Sequence, residues 1–254
     1  MQNLRQMQLE MVKMIAEVDR LFKENGIKYT LLGGSVLGAI RHKGFIPWDD
    51  DMDIAVWRKD FQRTENLLAN LQKYTYEFAQ KQIIPHSPIG RLHLINEKYP
   101  IEFSPTIDVF ALDKVPSTKF GIKFVNFVAF LCYATTRRQS NKPIKQFIFQ
   151  NTPKFVLDFI QKTSYNFIEN LNNKNYKNLG NVFGFWHAKE YFPSEIYDEI
   201  EYAEFEELKL PIPKNYDFYL KQLYGDYMKL PPVEQRISKH RELNLLNKEL
   251  ASKK

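Results

Sequence analysis

An α/β or α+β core with flanking helices and a helical insertion is the fold class that this sequence predicts, and three observations predict it. Short apolar strand patterns intermix with helical periodicities, a strand, a glycine turn and a helix follow one another over 27–42, and acidic residues sit in or at the edge of two apolar strands. A chain of 254 residues is long enough for one sizeable core carrying a smaller appendage. We read 1–254 as a single unit, with a core at 27–113, a helical insertion at 117–190 and a C-terminal segment at 191–254.

Leu4, Met7, Met11, Met14, Val18 and Leu21 recur at spacings of three and four, which writes one apolar stripe along a helix ending near Gly26. Such a stripe packs on its own domain or, over about three heptads, on a second copy as a coiled coil. Residues 27–32 read as a strand, Gly33-Gly34-Ser35 as a tight turn, and 36–42 as a short helix capped by Ser35. A loop at 43–47 leads to a second strand at 52–56, with Asp49, Asp50 and Asp51 at its entrance. Phe61, Leu67, Leu68 and Leu71 support the next helix, and strands follow at 74–78, 91–96 and 107–110.

The stretch 120–133 is an aromatic-rich helix followed by Arg137, Arg138, Lys142 and Lys145. Two readings fit: a core helix with a solvated basic exit, or an interfacial helix making peripheral membrane contact with anionic lipid through 120–145. Residues 172–181, rich in Asn and Lys, predict an exposed loop. Pro211, Pro213, Pro231 and Pro232 punctuate a segment whose helix is 216–224.

Composition narrows the chemistry. Lys and Arg outnumber Asp and Glu by 36 to 30, and a formal charge of +6 favours anionic partners without naming one. Cys132 is the only cysteine, so an intrachain disulfide and a multi-cysteine zinc site are both excluded. His86, His93 and His187 stand at no recognised metal-ligand spacing. No secretory-signal pattern opens the chain and no run of about 18 apolar residues occurs, so the expected location is cytoplasmic, peripheral at the inner membrane face if 120–145 docks there.

The densest chemical signal is Gly33-Gly34-Ser35, then fifteen residues, then Asp51-Met52-Asp53-Ile54. Glycines at a strand-to-helix turn let backbone approach a ligand closely, and the N–H groups of a helix start attract phosphate; Ser35 adds a hydroxyl. Aspartates at i and i+2 of a strand share a face with Cα atoms roughly 6.6 Å apart, so Asp51 and Asp53 converge on one ion while Met52 and Ile54 face the core. All-oxygen ligands suit Mg²⁺ or Mn²⁺, and a bound ion resolves the repulsion among the four acids in 49–53. Asp108, inside the apolar run 107–110, is the third acid, because a lone buried charge there is costly. Arg41, His42 and Lys43 are placed to offset phosphate charge, with Arg91 a further cation, and Trp48 either stacks on a base or packs.

At these residues the chain resembles the nucleotidyltransferase superfamily, which implies a nucleotidyltransferase-like mixed sheet. More narrowly, Gly33-Gly-Ser-Val-Leu-Gly-Ala-Ile-Arg-His-Lys-Gly-Phe-Ile-Pro-Trp-Asp-Asp-Asp-Met-Asp-Ile54 resembles the LicD family of phosphocholine transferases, related to fukutin and fukutin-related protein. A second match is Pro213-Lys-Asn-Tyr-Asp-Phe-Tyr-Leu-Lys-Gln-Leu-Tyr-Gly-Asp-Tyr-Met-Lys-Leu-Pro-Pro232, with Arg236 and His240 beyond. The resemblance covers 27–113 and 202–240 and leaves 117–190 without a motif. It implies a CDP-linked donor such as CDP-choline or a CDP-alditol, a glycan or lipid-linked glycan acceptor of the lipopolysaccharide, capsule or teichoic acid kind, and CMP as product. The cysteine-based zinc elements of the animal relatives have no counterpart here.

The expected chemistry is therefore metal-dependent transfer of a phosphorylated small alcohol. Asp51 and Asp53 hold the ion, while Asp108 completes its shell or accepts the acceptor proton. The rival enzymes are a glycosyltransferase using a nucleotide sugar, since an Asp-x-Asp pair serves there too, and a nucleotidyltransferase consuming a nucleoside triphosphate. A non-catalytic nucleotide or nucleic-acid module would not need three metal acids, so no nucleic-acid partner is expected.

Overall fold

The protein is described here from a computed structural model, over residues 4–79, 88–97, 99–100, 104–136, 147 and 151–238. His86, Arg137, Arg138, Lys142, Lys145 and His240, singled out above, lie outside the described residues.

Helix α1 (Leu4–Glu24) buries its stripe on the chain's own core, with Met11, Met14, Ile15, Val18 and Phe22 fully enclosed. Gly26, at φ 64°, turns the chain into β1 (Tyr29–Leu31), a left-handed conformation that glycine adopts without a Cβ penalty. Helix α2 (Gly33–His42) leads through the acidic loop to β2 (Met52–Trp57), and α3 (Arg58–Ala69) follows at once. Strands β3 (Thr75–Glu77), β4 (Gly90–His93) and β5 (Thr106–Val115) complete the N-terminal half. Then come α4 (Lys119–Thr136), α5 (Lys154–Asn170), β6 (Asn178–Asn181), β7 (Tyr191–Pro193), the single turn α6 (Glu195–Asp198), the hairpin β8 (Ile200–Phe205) with β9 (Leu208–Pro213), and α7 (Tyr216–Tyr224).

Seven strands form one mixed sheet in the order β1-β2-β5-β4-β3, with β6 on β5 and β7 on β6. Strands β2 and β5 run parallel, which α3, β3 and β4 make possible by supplying the crossover. Strand β5 is buried along most of its length, as a central strand covered on both faces should be. Leu112 pairs with Trp57 on one side and Asn181 on the other, so β6 shares the edge that β4 occupies farther up β5. This confirms a mixed α+β fold.

Three expectations change. Residues 178–181 are a strand rather than part of an exposed loop, because the chain there pairs with Leu112–Val115 and turns Leu179 inward. The segment 117–190 therefore adds a strand to the sheet as well as helices. Ser35 does not cap α2, which starts two residues earlier with Leu32 at the N-cap and no side-chain cap.

Candidate active site

The register of β2 on β5 sets Asp53 directly beside Asp108, and Asp51 lies two residues upstream on the same face. One carboxylate oxygen from each of Asp51, Asp53 and Asp108 lies within 4.8 Å of the others, and Asp49, Asp50 and Asp51 form a second such group. Both groups share Asp51 and could hold a metal ion. Burial first, then the charges of Asp51, Asp108 and Asp49, push the Asp53 carboxyl well above the usual carboxylate range. Burial also raises Asp108, against the opposing pull of the Arg91 guanidinium, whose Nε donates to Asp108 Oδ1 at 3.0 Å. Carboxylates crowded in this way are short of positive charge, and an all-oxygen donor set is what a hard divalent cation takes.

Arg91 faces Asp108 across the β4–β5 ladder, with Glu77 beyond it on β3, so acid and base alternate along one cross-strand row. The cation that the sequence singles out only weakly is thus the one seated against the third acid.

The glycine turn lies against the same acids. Gly33 has φ 47°, and a Cβ built on it would stand 3.6 Å from both Asp53 Oδ2 and the Tyr224 hydroxyl. A Cβ on Gly34 would stand 2.9 Å from Asp49 Oδ2, closer than side chains tolerate. Ser35 Oγ accepts the Asp53 N–H at 2.9 Å, so its hydroxyl clasps the start of β2 to α2. The Gly33 N–H donates to the Tyr219 hydroxyl at 2.8 Å and the Ser35 N–H to the Leu32 carbonyl at 2.9 Å. The turn supplies closeness of approach, while two of its donors are already engaged within the protein.

The cations expected at the phosphates have structural partners. Arg41 donates to the Tyr227 carbonyl at 2.7 Å and to His42 Nε2 at 3.0 Å, bracing the segment after α7. Burial and then Arg41 lower the His42 pKa, which agrees with Nε2 accepting that bond as a neutral ring. Lys43 is exposed in a left-handed turn at φ 58°, and its carbonyl accepts the Glu206 N–H. The Trp48 ring meets the edge of His42 at 6.2 Å and carries the Arg236 guanidinium over its face at 5.7 Å. Asp50 accepts a hydrogen bond from the Ser238 hydroxyl.

Several site residues escape sequence reasoning. Buried Gln8 donates to the carbonyls of Ile46 at 3.1 Å and Asp49 at 2.9 Å, fixing the acidic loop from α1; the polar residue inside an apolar stripe was its only signal. Tyr224, which belongs to the second sequence motif, takes the Trp186 ring edge-on at 5.4 Å. Buried Glu190 accepts the Trp186 N–H at 2.9 Å and so holds this wall in place. No local pattern marks Trp186 or Glu190.

Residues 26–120 match the family model described as LicD/FKTN/FKRP, nucleotidyltransferase domain, and that span contains the glycine turn and all three clustered acids. The lipopolysaccharide cholinephosphotransferase LicD of Haemophilus influenzae is 29% identical over 263 aligned residues, covering 93% of this chain and 96% of that protein. The ribitol 5-phosphate transferases FKRP of Homo sapiens and Mus musculus are each 48% identical over 42 residues, which is 16% of this chain and 8% of theirs. The LicD-type nucleotidyltransferase domain is thus matched across the acidic centre, and similarity to a LicD cholinephosphotransferase runs almost end to end.

Proposed function

We propose that this chain transfers a phosphorylated small alcohol from a CDP-linked donor to a glycan hydroxyl and releases CMP, with Mg²⁺ or Mn²⁺ held by Asp51, Asp53 and Asp108. The observation that carries the proposal is the convergence of these three carboxylates within 4.8 Å, beside a glycine turn whose positive φ at Gly33 and close approach of Asp49 to Gly34 disfavour larger side chains. The LicD and FKRP relatives are named for moving choline phosphate and ribitol phosphate, two substituted phosphates of one chemical kind.

When bound, the ion supplies charge neutralisation for the pyrophosphate and for departing CMP. The protein's own residues align the partners. Gly33 and Gly34 leave room for a phosphate to approach the acids, Ser35 keeps Asp53 in register, and Tyr224 and Trp186 form an aromatic wall that limits water. Arg41, His42, Lys43 and Trp48 flank the acidic loop, where the charge of Arg41 and Lys43 and the ring surface of His42 and Trp48 meet the nucleotide part of the donor. The acceptor oxygen forms a bond to the phosphorus bearing the small alcohol and the bond to CMP breaks. The acceptor proton passes to a site carboxylate; Asp108 either takes it or completes the ion's shell, and the hydrogen bond from Arg91 supports both roles.

Purified protein incubated with Mg²⁺, a CDP-linked donor panel and a glycan acceptor should release CMP and yield a phosphodiester visible by ³¹P NMR. Asp51→Asn and Asp53→Asn should each lower CMP release by about a thousandfold while the protein stays folded. Mn²⁺ should raise the melting temperature of the parent protein and leave that of Asp53→Asn unmoved. Turnover retained in either variant, or a glycosidic bond in the product, would overturn the reading.

A further inference from the structure

Helices α4 and α5 lie against each other, and both turn an aromatic side toward the protein, where Tyr133 and Tyr165 pack on Phe183 at 5.9 and 5.7 Å. Phe124 meets Phe167 edge-on at 5.5 Å along the seam between them. Away from that inner side, Phe120 is 81% exposed, Phe127 55%, Phe155 73% and Phe159 69%. Phe120 and Phe127 stand two turns apart on one face of α4, opposite buried Val125, Ala129 and Cys132; Phe155 and Phe159 stand one turn apart on α5, opposite Leu157, Ser164 and Ile168. The two helices therefore present one outer aromatic surface, of a kind that soluble proteins rarely leave to water.

The charge around that surface is mostly positive. Helix α4 carries exposed Lys119 and Lys123 and no acidic residue. Helix α5 carries exposed Lys154 and Lys162 against Asp158 and Glu169, and Glu169 is already paired with Arg58 at 3.4 Å. No helix among the described residues is long and apolar enough to cross a membrane. Phenylalanines projecting from a helical surface with lysines at their flanks fit the boundary between headgroups and acyl chains of an anionic bilayer, where rings insert shallowly and ammonium groups meet lipid phosphates.

We propose that the outer face of α4 and α5 docks this protein on an anionic lipid surface. The face connects to the acidic centre: α4 packs on the short helical turn His187–Glu190, which follows Trp186, and Trp186 touches Tyr224 beside Gly33 and Asp53. Docking would hold the site beside a membrane-borne acceptor.

Flotation of the full chain with vesicles tests this without reference to catalysis. The protein should float with phosphatidylglycerol–phosphatidylethanolamine vesicles and at least about tenfold less with phosphatidylcholine alone, and high salt should weaken the binding. The triple variant Phe120→Ser, Phe155→Ser, Phe159→Ser should lose about tenfold in binding with an unchanged far-ultraviolet circular dichroism spectrum. Lys123→Glu with Lys162→Glu should lose binding while keeping every ring, and it decides the matter if the triple variant misfolds. Failure of the parent protein to float, unchanged binding in both variants, or self-association through these phenylalanines in sedimentation would overturn the proposal; the last would mean that a second copy covers the face.

Discussion

Glu190 shows how much a single buried group can carry without any mark in the sequence. It is enclosed behind the Trp186 wall, and burial pushes its carboxyl up to about 7, against hydrogen bonds from the Trp186 N–H and Asn181 that favour the charged form. The unfolded chain ionises this group near its ordinary value of 4.5, while the folded chain keeps the proton until about 7. Its contribution to stability is therefore full below pH 4.5, declines as the pH rises through that window, and levels off above 7. A shift of this size corresponds to about 3 kcal/mol. Glu190→Gln cannot ionise, and its amide oxygen can still accept the Trp186 N–H. Urea unfolding across pH should show the variant close to the parent at pH 4.5 and about 3 kcal/mol more stable at pH 8. Parallel stability curves would contradict this placement of the proton.

Among the elements, β5 has the most demands on it, because it carries two carboxylates five residues apart and so projects them from opposite faces. Asp108 meets Asp53 and Arg91 on the side of the acidic centre. Asp113, fully buried on the other side, takes the Arg58 fork at 2.7 and 2.8 Å and the Asn172 amide at 2.6 Å. Arg58 opens α3 immediately after β2 and also donates to the Tyr165 hydroxyl on α5, so one guanidinium ties three elements together. Arg58→Ala would strand a buried carboxylate and should cost about 3–5 kcal/mol in chemical denaturation. Adding Asp113→Asn should recover part of that loss, and a single variant within about 0.5 kcal/mol of the parent would show the pair to be dispensable.

At the scale of the whole molecule, what the sequence discloses is what local pattern can encode. The helix expected at 216–224 forms over Tyr216–Tyr224, the α1 stripe is the core face, and the two acidic strands stand side by side as their apolar flanks require. What stayed hidden depends on distant pairing. Strand β6 becomes a strand only because β5 offers it an edge, Pro211 and Pro213 mask the alternation of Leu208, Leu210 and Ile212 in the two-stranded hairpin of β8 and β9, and the destination of Arg41 lies 186 positions along the chain. Within the candidate site, the acids and glycines were legible because their chemistry is local; Gln8, Trp186 and Glu190 were not, because each acts through a partner the sequence does not point to. Gln8 also shows that α1 is part of the site's support, since it fixes the carbonyls on either side of Trp48 from a helix that begins the described fold. Five α1 side chains are fully enclosed, Met11, Met14, Ile15, Val18 and Phe22. At about 1.5–3 kcal/mol each, their burial rivals the 5–15 kcal/mol that holds an ordinary domain together. Deleting residues 1–24 should therefore abolish cooperative unfolding, seen as a collapsed amide spectrum by NMR and a broad thermal transition. A truncated chain with dispersed resonances and a sharp melt would show that the sheet and the C-terminal half are self-sufficient, and that α1 only seals a core already formed.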